Sequence, residues 1–231
     1  MTEKFDTLIR NQFNELKKVH KDLVVNRTSS GYEINGFVSF KTNIDGVNVE
    51  DKYLVLIKIP PSYPDDYPKV FEVGGRIDKI PDNHVYPETG MLCLGTNIAC
   101  LIAHFKSKNL LKFVHLQLVP YLAGYSIYNK YGYWPHGEYS HGNKGVFEYY
   151  KDYFEVYNPE VITLLIGMAV NWRTLSWGKS LSCICKSGRT FGGCHYELVR
   201  KLSNPRLKHI VETDYVKCSE YLKKIETEKP L

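Results

Sequence analysis

Apolar residues recur at Phe5, Leu8, Ile9, Phe13, Leu16 and Val19. That spacing lines one face of a helix and predicts an amphipathic helix over about residues 3–19. The period then shortens to two. Asp22–Asn26, Tyr32–Phe40, Lys52–Ile59 and Lys69–Val73 read as strands, with turn residues at Ser29-Ser30-Gly31 and from Asn43 to Gly46. Between the last two lies Pro60-Pro61-Ser62-Tyr63-Pro64-Asp65-Asp66-Tyr67-Pro68, with four prolines. Proline cannot donate to a sheet ladder, so this stretch is a rigid linker and not a central strand. The pattern predicts an α+β fold: one helix, a four-stranded antiparallel meander, then helices.

Past Cys93 the period becomes helical again. Thr96 or Asn97 caps a short helix through Phe105, and Asn109 caps a longer one carrying Leu110, Leu111, Phe113, Val114 and Leu118. Pro120 is expected to kink or end it. The aromatic, glycine-bearing segment from Gly124 to Tyr139 follows no period. Val146, Phe147, Tyr150, Tyr153 and Phe154 predict a further helix. Asn158-Pro159-Glu160 opens a buried one to about Val170, with proline at the first helical position. Asn204-Pro205 repeats that start signal before Leu207, Ile210, Val211, Tyr215, Cys218, Tyr221, Leu222 and Ile225.

Composition narrows the possibilities. The chain has 231 residues, 43% of them apolar, which is enough for a sizeable core. Its net charge of +5 gathers partly at Lys106, Lys108 and Lys112 and from Lys201 to Lys224. So mild a charge is no nucleic-acid footprint. No secretory signal is visible, and the longest apolar run, Val161 to Val170, is too short to span a bilayer; a soluble, cytoplasmic protein is expected. Six cysteines without an export signal suggest thiols and metal ligands rather than disulfides.

Two cysteine centres carry candidate chemistry. Cys93 stands in loop-like context between Gly90 and Gly95, fit for a reachable nucleophilic thiolate. Cys100, among Ile98, Leu101 and Ile102, reads as core. A metal site from Cys93, His136 and His141 lacks closely paired ligands. The second centre is Cys183-Ile184-Cys185 followed by Cys194-His195. Three thiolates and one imidazole suffice for a closed tetrahedral zinc site, which leaves no open position and is structural. Ser187-Gly188 and Gly192-Gly193 supply the tight turns. Trp172 and Trp177 are placed to pack this knuckle.

The order of strand, Tyr63-Pro64-Asp65-Asp66-Tyr67-Pro68, strand, His84, then Gly90-Met91-Leu92-Cys93-Leu94 resembles the prokaryotic ubiquitin-conjugating (UBC-like) family. The resemblance implies a UBC-like domain over 1–157 and a helical zinc-bearing extension over 158–231. It implies that Cys93 accepts a ubiquitin-like modifier as a thioester from a ThiF-like activating enzyme and passes it to an amine of a target protein. The first helix would face that enzyme. Bacterial sets of this kind often include a metallopeptidase and serve anti-phage defence. His84 stands where the family has the histidine of His-Pro-Asn, but the triplet here is His84-Val85-Tyr86, without the oxyanion asparagine. His141 is then the expected proton acceptor or oxyanion donor, and Glu138 the group that orients it or activates the amine; His136 ranks below them. The stretch 183–195 also resembles the SEC-C zinc motif, Cys-x-Cys-x-Ser-Gly then Cys-His. Two rivals stand beside this reading. One is a UBC-like module that binds a modifier or partner without catalysis. The other is a nucleic-acid-associated zinc protein.

Overall fold

Buried and exposed residues alternate along Val47–Ile59 because only one face of that strand meets the core: Val49, Tyr53, Val55, Ile57 and Ile59 point inward. A computed structural model, describing residues 2–135, 137–173 and 178–228, shows an α+β fold around one four-stranded antiparallel sheet in the order β1-β2-β3-β4. The strands are β1 (Val24–Thr28), β2 (Gly31–Ile44), β3 (Val47–Ile59) and β4 (Lys69–Glu72). The hairpin β2–β3 is longer than its apolar pattern predicts. Ile44 pairs with Val47 across a two-residue turn in which Asp45 and Gly46 both take positive φ, 49° and 87°. Asp-Gly suits that turn, whose twist matches the flanking strands and lets the ladder run to its tip. Gly36 in β2 has a different reason. A Cβ there would sit 2.3 Å from the Asp22 carbonyl oxygen, so the chain entering β1 crosses the strand only over a glycine.

The chain forms two compact units: Met1–Gly95 with Ala99–Glu138, and Thr96–Ile98 with Tyr139–Leu231. In the first, α1 (Glu3–Val19) buries Ile9, Phe13 and Leu16 in the sheet's core. The proline-rich linker is irregular, as expected, and Tyr63 anchors it: its hydroxyl donates to the Gln12 side chain and to the Lys108 carbonyl. His104, near the end of α2 (Asn97–Phe105), reaches the Pro64 carbonyl at 3.2 Å.

Asn109 caps the next helix through the Lys112 N–H, as predicted. Pro120 does not end it. The helix runs as α3 (Leu110–Phe113), a π-turn (Val114–Leu118) and α4 (Val119–Tyr131). Proline has no N–H to give to a preceding carbonyl, and the wide turn just before it, closed by Val119 N–H to the Val114 carbonyl, absorbs the defect. Gly124 to Tyr131 is therefore helical. Its period is hidden because Tyr121, Leu122, Ala123, Gly124, Tyr125 and Ile127 are all buried, leaving no polar stripe.

The second unit contains α5 (Asn143–Phe154), α6 (Pro159–Val170), α7 (Tyr196–Leu202) and α8 (Lys208–Thr227). Asn158 caps α6 as expected, with Pro159 at its first position. Asn204 instead caps a turn by accepting from Arg206 N–H, and α8 begins at Lys208. The short α7 carries too few residues to show a period. The compact units divide after Glu138, ahead of the boundary expected near Tyr157. The reason is that α5 packs with α8: the Phe147 and Tyr221 rings lie 5.0 Å apart, and the Tyr150 hydroxyl donates to Asp214 at 3.2 Å. Among the described residues, no helix is long and apolar enough to cross a membrane.

Buried ionisable groups make stability depend on pH with opposite signs. Burial lowers the pKa of His20 and of His104 from the ordinary 6.5, and His115, whose Nε2 is 3.3 Å from that of His20, lowers His20 further. Below 6.5 the unfolded chain therefore binds protons that the folded chain refuses, and stability falls as pH falls. Burial raises Asp214 from 3.8 to about 6, so its contribution is full below 3.8 and is lost as pH rises through about 6. Urea unfolding across about pH 3–8 is the measurement. His20→Asn should flatten the acid-side loss. Asp214→Asn should raise stability near neutrality and leave it unchanged at low pH. An unaltered acid slope in His20→Asn would refute the histidine assignment.

Candidate active site and metal centre

Around Cys93 the chain adds a short ladder to β4. Met91 bridges Phe71, Leu92 N–H donates to the Val70 carbonyl at 2.8 Å, and Val85 bridges Leu92. On the outer side Cys93 N–H donates to the His84 carbonyl at 2.7 Å and Tyr86 N–H to the Met91 carbonyl at 2.9 Å. Alternation then sorts the side chains. Val85 and Leu92 turn into the core, 3% and 4% exposed, so Tyr86 and Cys93 share the opposite face. The Cys93 thiol is half-buried and lies 3.5 Å from the Gly95 carbonyl.

A 3-10 turn, Pro81–Asn83, delivers His84 with φ 52° and ψ 47°, the left-handed region. Its ring stands edge-on to Trp134 at 4.7 Å, and its Nε2 pairs with a Glu138 carboxylate oxygen at 3.2 Å. Trp134 is itself held by the Tyr128 ring, stacked at 5.3 Å, and by donation to the Asp82 carbonyl at 3.3 Å. A Cβ at Gly124 would meet the Trp134 ring at 3.1 Å, which is why that helical position is glycine. Burial and the neighbouring Cys93 thiol both raise the pKa of the Tyr86 hydroxyl. Burial and Cys93 push the Cys100 thiol up to about 12, an inert core cysteine as its sequence context predicts.

Of the four residues expected at this centre, the structure brings Cys93, His84 and Glu138 onto connected positions. Glu138 was expected to orient His141, and it pairs with His84. His141 is an exposed residue of the turn before α5, in the second unit. His136 and Trp177 lie outside the described residues. Sequence reasoning missed Tyr86 and Trp134. The first was signalled by the inward pair Val85 and Leu92, which fixes the outward face. The second depends on a helix whose period was hidden.

The other centre is built by turns. Cys183 N–H donates to the Arg189 carbonyl at 2.9 Å and Lys186 N–H to the Cys183 carbonyl at 3.1 Å, while Lys186 and Gly188 take positive φ. Phe191, fully buried, pins the base: its carbonyl accepts from both Cys194 N–H and Tyr196 N–H. Trp172 packs on Tyr196 with ring centres 5.1 Å apart. The donor atoms of Cys183, Cys185, Cys194 and His195 all lie within 4.8 Å of one another, a cluster that can hold a metal ion. His195 Nδ1 is 3.1 Å from the Cys183 sulfur and 3.2 Å from that of Cys194, and the Cys185 and Cys194 sulfurs are 3.6 Å apart. A tetrahedral ion at about 2.3 Å from sulfur and about 2.0 Å from nitrogen needs edges of about 3.5–3.8 Å, so small relaxations seat it. His195 Nε2 lies 2.8 Å from the Phe154 carbonyl, which keeps the proton on Nε2 and turns Nδ1 to the thiols, as an outer-shell partner should. Burial raises Cys183 to about 11. At Cys185 burial is outweighed by donors from Ser187, which bring it down to about 6.

No family model, curated protein or solved structure matches this chain.

The metal cluster predicts about one bound ion per chain by elemental mass spectrometry. Cys183→Ser and His195→Ala should each lose the ion. A strong chelator should lower the thermal midpoint of the wild type and leave that of Cys183→Ser unchanged. A wild-type midpoint indifferent to chelation would refute a folding role for the metal.

Proposed function

We propose that the chain is a conjugating enzyme of the UBC-like type, serving a bacterial anti-phage system. In this reading the Cys93 thiolate attacks the modifier's C-terminal thioester on a ThiF-like activating enzyme. A new C–S bond forms to Cys93 and the activating enzyme's thiol departs. An amine then attacks the carbonyl carbon, the C–S bond breaks, and Cys93 leaves as a thiolate. The single observation that carries the reading is the half-buried Cys93, held by its backbone beside His84 and Tyr86. A thiol so placed is fixed in position yet open to a second protein.

In this reading His84, rather than His141, takes the base role, which the Glu138 carboxylate 3.2 Å from its Nε2 supports. The carboxylate orients the ring and stabilises its protonated form, so the imidazole can take the proton of the attacking amine. Cys183, Cys185, Cys194 and His195 are assigned to zinc. Three thiolates and an imidazole are its habitual donors, and a closed set of four gives it a structural role.

Thioester trapping tests this. The purified protein is mixed with ATP, a ThiF-like activating enzyme and the modifier encoded beside it, then run on non-reducing gels. A reductant-sensitive adduct is expected, lost in Cys93→Ala and converted to a reductant-resistant ester in Cys93→Ser. A charged activating enzyme with no adduct on Cys93 would overturn the enzymatic reading and leave a module that only binds its partners.

A further inference from the structure

Acyl transfer through Cys93 passes through a tetrahedral intermediate whose carbonyl oxygen carries negative charge. That oxygen needs a donor fixed in advance. In many thiol and hydroxyl nucleophiles the nucleophile's own backbone N–H serves. Here it does not, because Cys93 N–H is committed to the His84 carbonyl at 2.7 Å. The Tyr121 hydroxyl, also electrostatically coupled to Cys93, is spent on the Asn83 carbonyl at 2.7 Å and is buried. The Tyr86 hydroxyl is placed differently. It belongs to the residue that shares the outer face of the ladder with Cys93, and that residue is 38% exposed, so an incoming acyl group can reach it.

The main chain of Tyr86 is rigid. Its N–H donates to Met91, and its carbonyl accepts from Thr89 N–H at 3.2 Å and Gly90 N–H at 2.7 Å. Gly90 takes φ 72°, the left-handed conformation that closes this turn. The backbone therefore delivers the phenol without loop movement.

We propose that Tyr86 is a catalytic residue whose O–H donates to the oxyanion formed on the Cys93-bound acyl carbonyl. This inference rests on the conjugating reading above. When the amine nitrogen attacks, the C–N bond forms and the carbonyl π pair moves to oxygen, where the phenol hydrogen bond holds it. Collapse restores C=O and breaks C–S, returning the pair to sulfur. The amine proton goes to the His84 ring. The phenol keeps its own proton throughout. Its pKa, raised by burial and by the neighbouring thiol, keeps it a donor at neutral pH.

A partner-free probe tests this on the full metal-loaded chain. Acetyl-glycylglycine mercaptoethanesulfonate thioester charges Cys93 by thiol exchange, with the site mapped by peptide mass spectrometry and Cys93→Ala as control. Free lysine then discharges it, followed by intact mass. Tyr86→Phe, given a longer incubation to charge because thioester exchange passes through the same oxyanion, should then discharge about 10²–10³-fold slower than wild type. Tyr86→Asn, which restores a donor, should recover about tenfold or more of that loss. Fluorinated tyrosine at position 86, with its more acidic hydroxyl, should move the alkaline fall of the discharge rate to lower pH, a shift that no packing role produces. Wild-type discharge by Tyr86→Phe, or an unmoved pH limb with fluorinated tyrosine, overturns the role of Tyr86 and leaves the conjugating reading standing. No acylation of Cys93 in the wild type overturns both.

Discussion

One backbone hydrogen bond, from Cys93 to the His84 carbonyl, organises the first unit's chemistry. It sets two short extended segments in antiparallel register, and the period of two then decides what each residue faces. Val85 and Leu92 join the sheet's core. Tyr86 and Cys93 are turned outward together. A slip of one residue would exchange the two sets, burying the thiol and exposing two aliphatic side chains. Burial of Val85 and Leu92, each contributing about 1.5–3 kcal/mol, thus holds the outer face in position. The left-handed conformation of His84 serves the same bond, since it aims the carbonyl at Cys93 while the ring turns to Trp134 and Glu138.

The metal cluster follows a different logic. Its segment has almost no regular structure, and the turns that gather its ligands are themselves held by backbone hydrogen bonds around Phe191. A buried aromatic side chain and four donors replace the helix or strand that would otherwise fix such a loop. His195 joins this loop to the helical part of its unit, because its outer nitrogen rests on the Phe154 carbonyl at the end of α5. Ligand geometry and helix packing are coupled through one imidazole.

Most of the fold was legible because the residues that form elements also display their period. The helix over Glu3–Val19, the four strands and the caps at Asn109 and Asn158 were readable from local chemistry alone. What escaped did so for physical reasons. The helix from Val119 to Tyr131 is buried on every side, so no polar stripe marks it. Pro120 reads as a stop only if the preceding turn is regular, and it is not. In the site, Cys93 and the four metal donors were visible as residue types at telling spacings. The partner of Glu138 was not, because side-chain pairing across 54 residues (138 − 84) leaves no local pattern. Tyr86 was noticed only as a missing asparagine. Its position became meaningful once the ladder fixed its face.

The π-turn at Val114–Leu118 adds one residue to a single turn of the helix. An extra residue in one turn rotates everything beyond it by about 100° about the helix axis. The two halves of a single continuous rod thereby present different sides: α3 meets α1, while α4 meets β2 and β3. Chain length within this turn is thus an architectural variable in its own right. Deleting one residue there would preserve every side chain of α4 and its helicity, yet swing the tyrosines that cradle Trp134 away from it. The indole ring behind His84 is placed by a count of residues as much as by their kind.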